Sequence, residues 1–176
     1  AHPEAVFHQE WNEEPNLDLD PENGDNRALD FFGGTLTGIR QKLDDLQKLG
    51  VTILYLNPIF RARTNHRYDT GSYEEIDPIV GDEKAFQELC RAASKRGMRI
   101  ILDGVFSHTG ADSLYFNRYG RYASVGAYQS PDSPYADWYH FDHFPDKYNC
   151  WWGFYTLPAV NKDQPSYRHY LLNDCT

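Results

Sequence analysis

Two helical segments, each closed by a glycine and followed at once by a short apolar run, constrain the fold of this chain most. Apolar residues recur at helical spacing before Gly50, and the apolar run 51–56 follows it. The same order returns in the segment that Asp82 opens and Gly97 closes, before the run 98–102. Glycine commonly ends helices, and continuous apolar runs are typical of strands buried on both faces. The alternation predicts parallel βαβ units, in either a doubly wound sheet or a (β/α)8 barrel.

Irregular sequence surrounds these units. Residues 11–27 are acidic and rich in Pro, Asn and Gly, which predicts a long loop after a short strand at 5–8. Residues 107–164 show no convincing helical or strand period, and a stretch of that length is usually a functional excursion. A short helix is predicted from Pro165 to about Leu172, with proline in the permitted first turn.

Aromatic residues make up 15% of the chain, and much of this excess falls after residue 114 among polar side chains. We interpret these aromatics as facing a wet, flat ligand such as a sugar ring rather than a dry core, because stacking needs an accessible ring face. The residues concerned are Tyr115, Phe116, Tyr119, Tyr122, Tyr128, Tyr135, Trp138, Tyr139, Trp151, Trp152 and Phe154.

Charge, hydropathy and cysteine content argue against several function classes. The net charge of −9 argues against nucleic acid or an anionic membrane as a partner, because both require clustered Lys and Arg. No apolar run approaches the roughly 18 residues of a membrane span. Cys90, Cys150 and Cys175 form neither a CxxC pair nor an even set, and residues 1–10 lack the features of a signal peptide. These observations favour a reduced, cytoplasmic setting.

Polar side chains follow both apolar runs, at the strand ends where parallel α/β folds bind ligands. Asp103 comes directly after the second run, where a buried, unpaired carboxylate costs several kcal/mol. It therefore requires a cation, a metal or a ligand, unless it only caps a turn with Gly104. His108 alone is interpreted as a structural histidine of a surface loop rather than as a functional residue. Tyr68 beside Asp69 offers either a stacking face with an acceptor for hydroxyl groups, or an ordinary turn and edge residue.

Several blocks, in order along the chain, resemble one family. The segment DGVFSHTG (103–110) is similar to the first signature block of the α-amylase superfamily, glycoside hydrolase family 13. The upstream blocks FFGGTLTGI (31–39), GVTILYLNPIF (50–60) and NHRYDTGSYEEIDPIVGDEKAF (65–86) resemble the neopullulanase and cyclomaltodextrinase branch of that superfamily, and so does LPAVN (157–161). The blocks keep the family's order over most of the chain.

The resemblance implies the N-terminal portion of a TIM (β/α)8 barrel, about strands one to three and helices one to three, with a long inserted loop domain after strand three. Strand one is expected near 5–11, strand two at 51–57 and strand three at 98–105. By the same resemblance, residues 1–106 hold the first βα units, 107–164 are the inserted domain that forms one wall of the cleft, and 165–176 begin helix three.

The resemblance also assigns roles to individual residues. Tyr68 would stack on the sugar at the subsite of cleavage, and Asp69 and His108 would contact hydroxyl groups of that sugar. Asp103 would orient an arginine arriving from the next strand. Two further aromatics in the inserted domain are candidates for the substrate cleft, Trp151 and Trp152.

Calcium is the one cofactor that the resemblance suggests. Ser107 stands where many α-amylases have the asparagine that binds their structural calcium, which argues against a site there. Asn23, Asp25 and Asn26 resemble part of a different calcium site in the early loop of the neopullulanase branch. Thr35 replaces an aspartate common in that branch, so the early site also departs from the family pattern.

The expected activity is retaining hydrolysis of α-1,4 and α-1,6 glucosidic bonds in maltodextrin, cyclodextrin or pullulan. The family uses one carboxylate as nucleophile and another as general acid and base, and its catalytic residues follow strands four, five and seven. No residue of this sequence matches them, so the resemblance implies that they lie beyond Thr176. We therefore expect these 176 residues alone to be inactive.

Two other interpretations stay open at this point. A non-catalytic, amylase-like scaffold that binds carbohydrate or a partner is the main alternative. A nucleotide-binding doubly wound protein is a weaker one, because Gly33, Gly34 and Gly38 form no G-x-G-x-x-G loop.

Overall fold

The computed structural model describes residues 4–20 and 27–175, which fall into two compact units. Unit 1 comprises 1–59, 64–66 and 76–103, and unit 2 comprises 60–63, 67–75 and 104–176. The three-part division expected from the family, at 106/107 and 164/165, stays a prediction. Within the described ranges, no helix is long and apolar enough to cross a membrane.

The described part of unit 1 contains two pairs of parallel strands and three helices. Strand β1 (Val6–Phe7) pairs with β2 (Asp30–Phe31), and β3 (Ile53–Leu56) pairs with β4 (Arg99–Leu102). The helices are α1 (Leu36–Gln41), α2 (Leu43–Lys48) and α3 (Glu83–Ser94). Helix α3 lies between β3 and β4 in the chain, so the predicted parallel βαβ unit is present.

The two helix-ending glycines have the geometry that their positions require. Gly50 has φ +83° and Gly97 has φ +72°, values that side-chain-bearing residues rarely adopt. After α2, the N–H of Val51 donates to the carbonyl of Leu46 and that of Gly50 to Gln47. This double hydrogen bond is a Schellman motif, which turns the chain directly from helix into strand.

The first predicted helix is interrupted. Lys42 has φ −99° and ψ 3°, outside the helical region, and its N–H donates to the carbonyl of Ile39. This tightened turn separates α1 from α2 while keeping their apolar residues on one side. Leu36 and Leu43, one from each helix, are both almost fully buried. Periodicity alone therefore predicts the buried face but not the break.

The prediction that β3 is buried on both faces is wrong for the described residues. Leu54 and Leu56 point into the core of unit 1, whereas Ile53 and Tyr55 are 51% and 59% exposed. On β4, Ile101 is 45% exposed. Helices cover only one face of this strand pair, because the core consists of residues from β3, β4 and the three helices on that side.

Unit 2 has little regular structure. Strands β5 (Phe141–His143) and β6 (Lys147–Tyr148) form a small antiparallel hairpin, which the sequence did not predict. Helix α4 (Pro165–His169) begins at the predicted proline and continues as a π-helical turn over Tyr170–Asp174. Single 3-10 turns lie at Ala136–Trp138 and Trp151–Gly153.

The aromatic residues of unit 2 mostly form its core, so their interpretation as ligand-facing is wrong for the majority. Tyr115, Phe116, Trp138 and Tyr139 are all buried. Polar residues beside them in sequence, which suggested a wet surface, are buried as well. Asn117, for example, is fully buried. Its side-chain amide donates to the carbonyls of Tyr122 and Ser124 and to the side chain of Gln129. Polar residues with internal partners do not indicate contact with water.

Candidate functional site

Two chain segments that the sequence singled out lie side by side in unit 2. The N–H of Gly110 donates to the carbonyl of Thr70 at 2.9 Å, and the N–H of Leu114 donates to the carbonyl of Gly71 at the same distance. A Cβ atom on Gly110 would lie 2.6 Å from the carbonyl oxygen of Asp69, so only glycine permits this approach. The contact fixes the Tyr68–Asp69 turn against the segment that carries His108.

His108 joins the two segments through its side chain. Its Nε2 lies 3.0 Å from the carbonyl oxygen of Tyr68, and its Nδ1 lies 3.0 Å from Oγ of Ser107. Because a carbonyl can only accept, Nε2 carries the proton, and Nδ1 of the neutral ring then accepts from Ser107. The residue is only 5% exposed. In this structure both ring nitrogens therefore have partners within the chain.

Asp69 is also enclosed, with 5% of its surface exposed. Its Oδ2 accepts a hydrogen bond from the backbone N–H of Arg63 at 3.2 Å. Burial of a carboxylate is favourable only when polar partners replace water, and the Arg63 amide is one of them. Asp69 thus ties the Tyr68 turn to a further segment of unit 2.

Tyr68 differs from its two neighbours because 38% of its surface is exposed. Arg67, just before it, has φ +60°, an unusual conformation for a residue with a side chain. The turn therefore holds the tyrosine by its backbone and leaves much of the side chain accessible. Such an arrangement suits a stacking residue, since stacking needs an aromatic side chain that is held in place and partly exposed.

Two aromatic rings continue from His108 to the surface. The ring of Trp151 lies 5.3 Å from that of His108, and Trp152 stacks on Trp151 with centroids 5.1 Å apart and planes at 14°. Trp151 is 37% exposed and Trp152 is 82% exposed. These are the two tryptophans that the sequence placed in the cleft, and the structure leaves both accessible, unlike the buried aromatics of the same unit.

Asp103 belongs to unit 1, where it follows β4. Its carboxylate accepts a hydrogen bond from the hydroxyl of Tyr55 on β3, and this bond, together with burial and the negative charge, raises the pKa of Tyr55. Asp103 itself is half-buried. A neutral hydroxyl is therefore one partner of the carboxylate for which the sequence required a cation, a metal or a ligand.

Asp112 is a buried charge that the sequence analysis missed. Its side chain is 10% exposed, and Oδ2 pairs with the guanidinium of Arg121 at 3.0 Å. Burial raises the pKa of this carboxyl and Asp69 adds to the effect, while Arg121 and Arg63 oppose it. Both guanidinium groups also lie 5.6 Å from the ring centre of Tyr119. Sequence offers no signal for this cluster, because its members are spread over three separated segments.

The calcium candidate cannot be placed, since Asn23, Asp25 and Asn26 lie outside the described residues. Within 4–20 and 27–175, no group of three or more His, Cys, Asp and Glu side chains is arranged to hold a metal ion. Ser107, at the position of the calcium-binding asparagine in many α-amylases, contacts His108 instead.

None of the side chains placed in this site is one to which the family resemblance assigns a catalytic role. The resemblance implies that the nucleophile and the general acid and base lie beyond Thr176, and this stays a prediction. Thr176 itself lies outside the described residues, which end at Cys175. The side chains placed here are therefore candidates for binding and positioning a substrate, and none is assigned a bond-breaking step.

Comparison with known proteins identifies the relatives of this chain. Residues 10–175 match the family described as the α-amylase catalytic domain. The chain is 43% identical to an amylopullulanase from Thermoanaerobacterium saccharolyticum over 96% of its own length and 14% of that protein. It is 40% identical to an intracellular maltogenic amylase from Bacillus subtilis (strain 168), over 89% of this chain and 27% of the relative.

Comparison with solved structures also finds enzymes that act on α-glucans. The type III pullulan hydrolase from Thermococcus kodakarensis superposes with a TM-score of 0.76 and 35% identity, over 95% of this chain and 28% of that structure. The chain therefore spans well under a third of the length of each of these three relatives.

Proposed function

This chain belongs to the family of the α-amylase catalytic domain, and from that premise we propose that it supplies part of the substrate site of a retaining α-glucan hydrolase. The proposed substrates are maltodextrin, cyclodextrin or pullulan, cut at α-1,4 and α-1,6 glucosidic bonds. The relatives support this substrate class, since they include an amylopullulanase, a maltogenic amylase and a pullulan hydrolase.

The observation that carries the proposal is that Tyr68 is held by its backbone and is partly exposed. Its carbonyl is held by Nε2 of His108, its neighbour Asp69 is held by the amide of Arg63, and 38% of the surface of Tyr68 remains exposed. Apolar faces of sugar rings bind to aromatic faces of this kind. Because the turn that carries Tyr68 is already held in the free chain, binding does not have to order it, which favours affinity.

We propose different tasks for the three residues of this cluster. Tyr68 makes the stacking contact. His108 and Asp69, each 5% exposed, act first by positioning the Tyr68 turn. A hydroxyl group of the substrate reaches His108 only by sharing or replacing a partner that the ring has in this structure. This division refines the roles implied by the family resemblance, in which all three contact the sugar directly.

We propose for Asp103 the role that the family implies, the orientation of an arginine from the next strand of the barrel. Its hydrogen bond from Tyr55 supports a fixed carboxylate, because the donor sits on the adjacent strand β3. A guanidinium approaching the carboxylate would satisfy its remaining acceptor sites and neutralise its charge.

The structural context proposed here is the first part of a (β/α)8 barrel. Strand β1 corresponds to barrel strand one, β3 to strand two and β4 to strand three. Ile53, Tyr55 and Ile101 on the uncovered face support this, since the interior of such a barrel is filled by side chains from many strands. Residues 107–164 are the proposed inserted domain, and α4 begins barrel helix three.

Calcium remains a proposed cofactor, through Asn23, Asp25 and Asn26 in the early loop. Oxygen ligands of this kind suit a hard cation. Addition of calcium chloride to metal-free protein should raise its melting temperature, and replacement of Asp25 by Asn should reduce that increase. An equal response in the variant, or none in either protein, would remove calcium from the proposal.

The substrate proposal is tested by binding of maltotriose to the 176-residue chain, measured by calorimetry. Tyr68→Ala removes the ring and should weaken binding about tenfold or more, as at other aromatic contacts that dominate an interface. Tyr68→Phe keeps the ring and should bind nearly as well as the wild type. Equal affinity of the wild type and Tyr68→Ala would contradict the proposed site, and absence of binding by the wild type would contradict the proposal that these residues form a glucan-binding position.

A further inference from the structure

The loop 151–157 exposes aromatic surface at a tightly fixed position. Its ends are joined because the N–H of Trp151 donates to the carbonyl of Leu157 at 2.9 Å. Phe154 bonds back to Trp151, and Leu157 to Phe154, so the loop is closed by three backbone hydrogen bonds. Trp152, Phe154 and Tyr155 nevertheless remain 82%, 41% and 47% exposed.

Trp152 is held in a conformation that costs free energy in the folded chain. Its φ and ψ are 52° and 25°, in the left-handed region that residues with side chains avoid. Trp152 is 82% exposed, so burial of its indole contributes little free energy to offset this cost. An exposed aromatic on a strained backbone is typical of a functional position rather than a structural one.

From these features we infer that Trp152, supported by Trp151 and Phe154, is a second α-glucan-binding position outside the Tyr68 site. The ring planes favour this, since Trp152 lies parallel to Trp151 within 14° and Phe154 within 26°. Because these rings stack, Trp151 supports one face of the Trp152 indole, and this supported platform, with Trp152 82% exposed, leaves the other face to a further sugar of a longer glucan chain. This inference rests on the proposed function and extends it from one sugar to a polymer.

Charge and composition distinguish a glucan from other occupants. No Asp, Glu, Lys, Arg or His occurs in residues 150–160, so the loop offers nothing to a charged ligand. The chain as a whole carries a net charge of −9, which disfavours an anionic membrane surface. A neutral polymer with apolar ring faces and many hydroxyl groups fits a neutral aromatic platform.

Trp11 provides a matched control. It is 82% exposed, the same value as Trp152, but it lies in unit 1 and no ring contact is recorded for it among the described residues. Trp11→Ala therefore removes an equally exposed indole that has no supporting platform. Trp152→Gly is a second variant. Glycine adopts the left-handed conformation of this position without strain, so the loop keeps its backbone and a loss of binding reflects the loss of the indole.

The experiment is affinity electrophoresis of the 176-residue chain in native gels containing soluble starch, with maltotriose binding measured by calorimetry in parallel. Trp152→Ala and Trp152→Gly should weaken retention by starch about tenfold. Trp11→Ala should be retained like the wild type. Maltotriose, which fits the Tyr68 site alone, should bind all three variants with unchanged affinity.

Equal retention of Trp152→Ala, Trp152→Gly and Trp11→Ala would overturn the inference, and the maltotriose measurements on Tyr68 variants would still decide the proposed function separately. A loss of maltotriose affinity in both Trp152 variants would also overturn it, because Trp152 would then belong to the Tyr68 site. Binding of the wild type to phosphatidylcholine vesicles through Trp152, without retention by starch, would assign the loop to a membrane instead.

Discussion

Replacement of Gly110 by Ala is the sharpest structural test of the site. A Cβ at this position would meet the carbonyl oxygen of Asp69 at 2.6 Å and its carbonyl carbon at 3.1 Å. The backbone of Gly110 is not in the left-handed region, so strain from φ does not contribute. The only available response is movement of the Tyr68–Asp69 turn away from the segment that carries His108.

The loss of stability expected in Gly110→Ala follows from the overlap of the new Cβ atom with the backbone of Asp69. Backbone atoms cannot move aside as a flexible side chain can, and overpacking of this kind costs about 1–3 kcal/mol. For a chain of this size, a loss of about 2 kcal/mol lowers the melting temperature by roughly 4–8 °C. Affinity for maltotriose should fall as well, because the hydrogen bonds from Gly110 to Thr70 and from His108 to Tyr68 hold the stacking residue.

Thermal unfolding followed by circular dichroism measures the first effect, and calorimetry with maltotriose measures the second. Gly38→Ala is the control, since its Cβ would meet only the Thr35 hydroxyl, at 3.3 Å, and alanine favours the helix in which it lies. That variant should unfold at or above the wild-type temperature. An unchanged melting temperature and unchanged affinity in Gly110→Ala would refute the account of how the turn is held.

Three further predictions concern stability and activity. The hydrogen bond to Asp30 and a further one to Glu13 raise the pKa of His8 in the folded chain above the ordinary value of 6.5. Protonated His8 therefore stabilises the folded state fully below pH 6.5, and this contribution is lost as the pH rises through the folded-state pKa. Wild type and His8→Gln should therefore differ in melting temperature in weakly acidic buffer and converge in alkaline buffer; a constant difference would contradict this. Leu89 is fully buried and Leu89→Ala should cost about 2–5 kcal/mol in urea unfolding, whereas Leu49→Ala, at an 80% exposed position, should change stability by less than about 0.5 kcal/mol. The 176-residue chain should release no reducing ends from maltooligosaccharides, and measurable release would show that the catalytic groups are present in it rather than beyond Thr176.

The parts of the fold that depend on local pattern were predictable from sequence. Asp82 caps α3 through its side chain, and Gly50 and Gly97 end helices, because capping and left-handed glycine are properties of single residues. Pairing of β3 with β4 was implied by the intervening helix. The short strand predicted at 5–8 is present as β1. By contrast, the break at Lys42 and the two-residue strand β2 leave no periodic signal, since each involves too few residues.

Composition alone misjudged unit 2. Tyr115 and Phe116 are fully buried although polar residues such as Ser113 and Asn117 lie beside them in sequence, because these polar side chains bond internally. Composition could not separate these aromatics from Trp152, which only the family resemblance singled out and whose exposure depends on the closed loop and its left-handed backbone. The exposed fraction, not the neighbouring sequence, is what distinguishes a binding aromatic from a core aromatic here.

The residues of the candidate site were predicted from sequence, but the role of each residue was not. Family resemblance selected Tyr68, Asp69 and His108, and the structure places them together within unit 2. It also gives His108 two intramolecular partners and leaves Asp69 buried, which sequence cannot reveal. Asp112, with its buried ion pair to Arg121, carried no motif and was found only from the structure.

The central claim is that unit 2 binds α-glucan, with one sugar at Tyr68 and a further sugar of a longer chain at Trp152. The chain has four tryptophans, so 5-fluorotryptophan labelling should give four fluorine NMR signals. On addition of maltoheptaose, the signals of Trp151 and Trp152 should shift, while those of exposed Trp11 and of buried Trp138 should stay constant. Shifts confined to Trp11, or no shift at a saturating concentration of the sugar, would contradict the account.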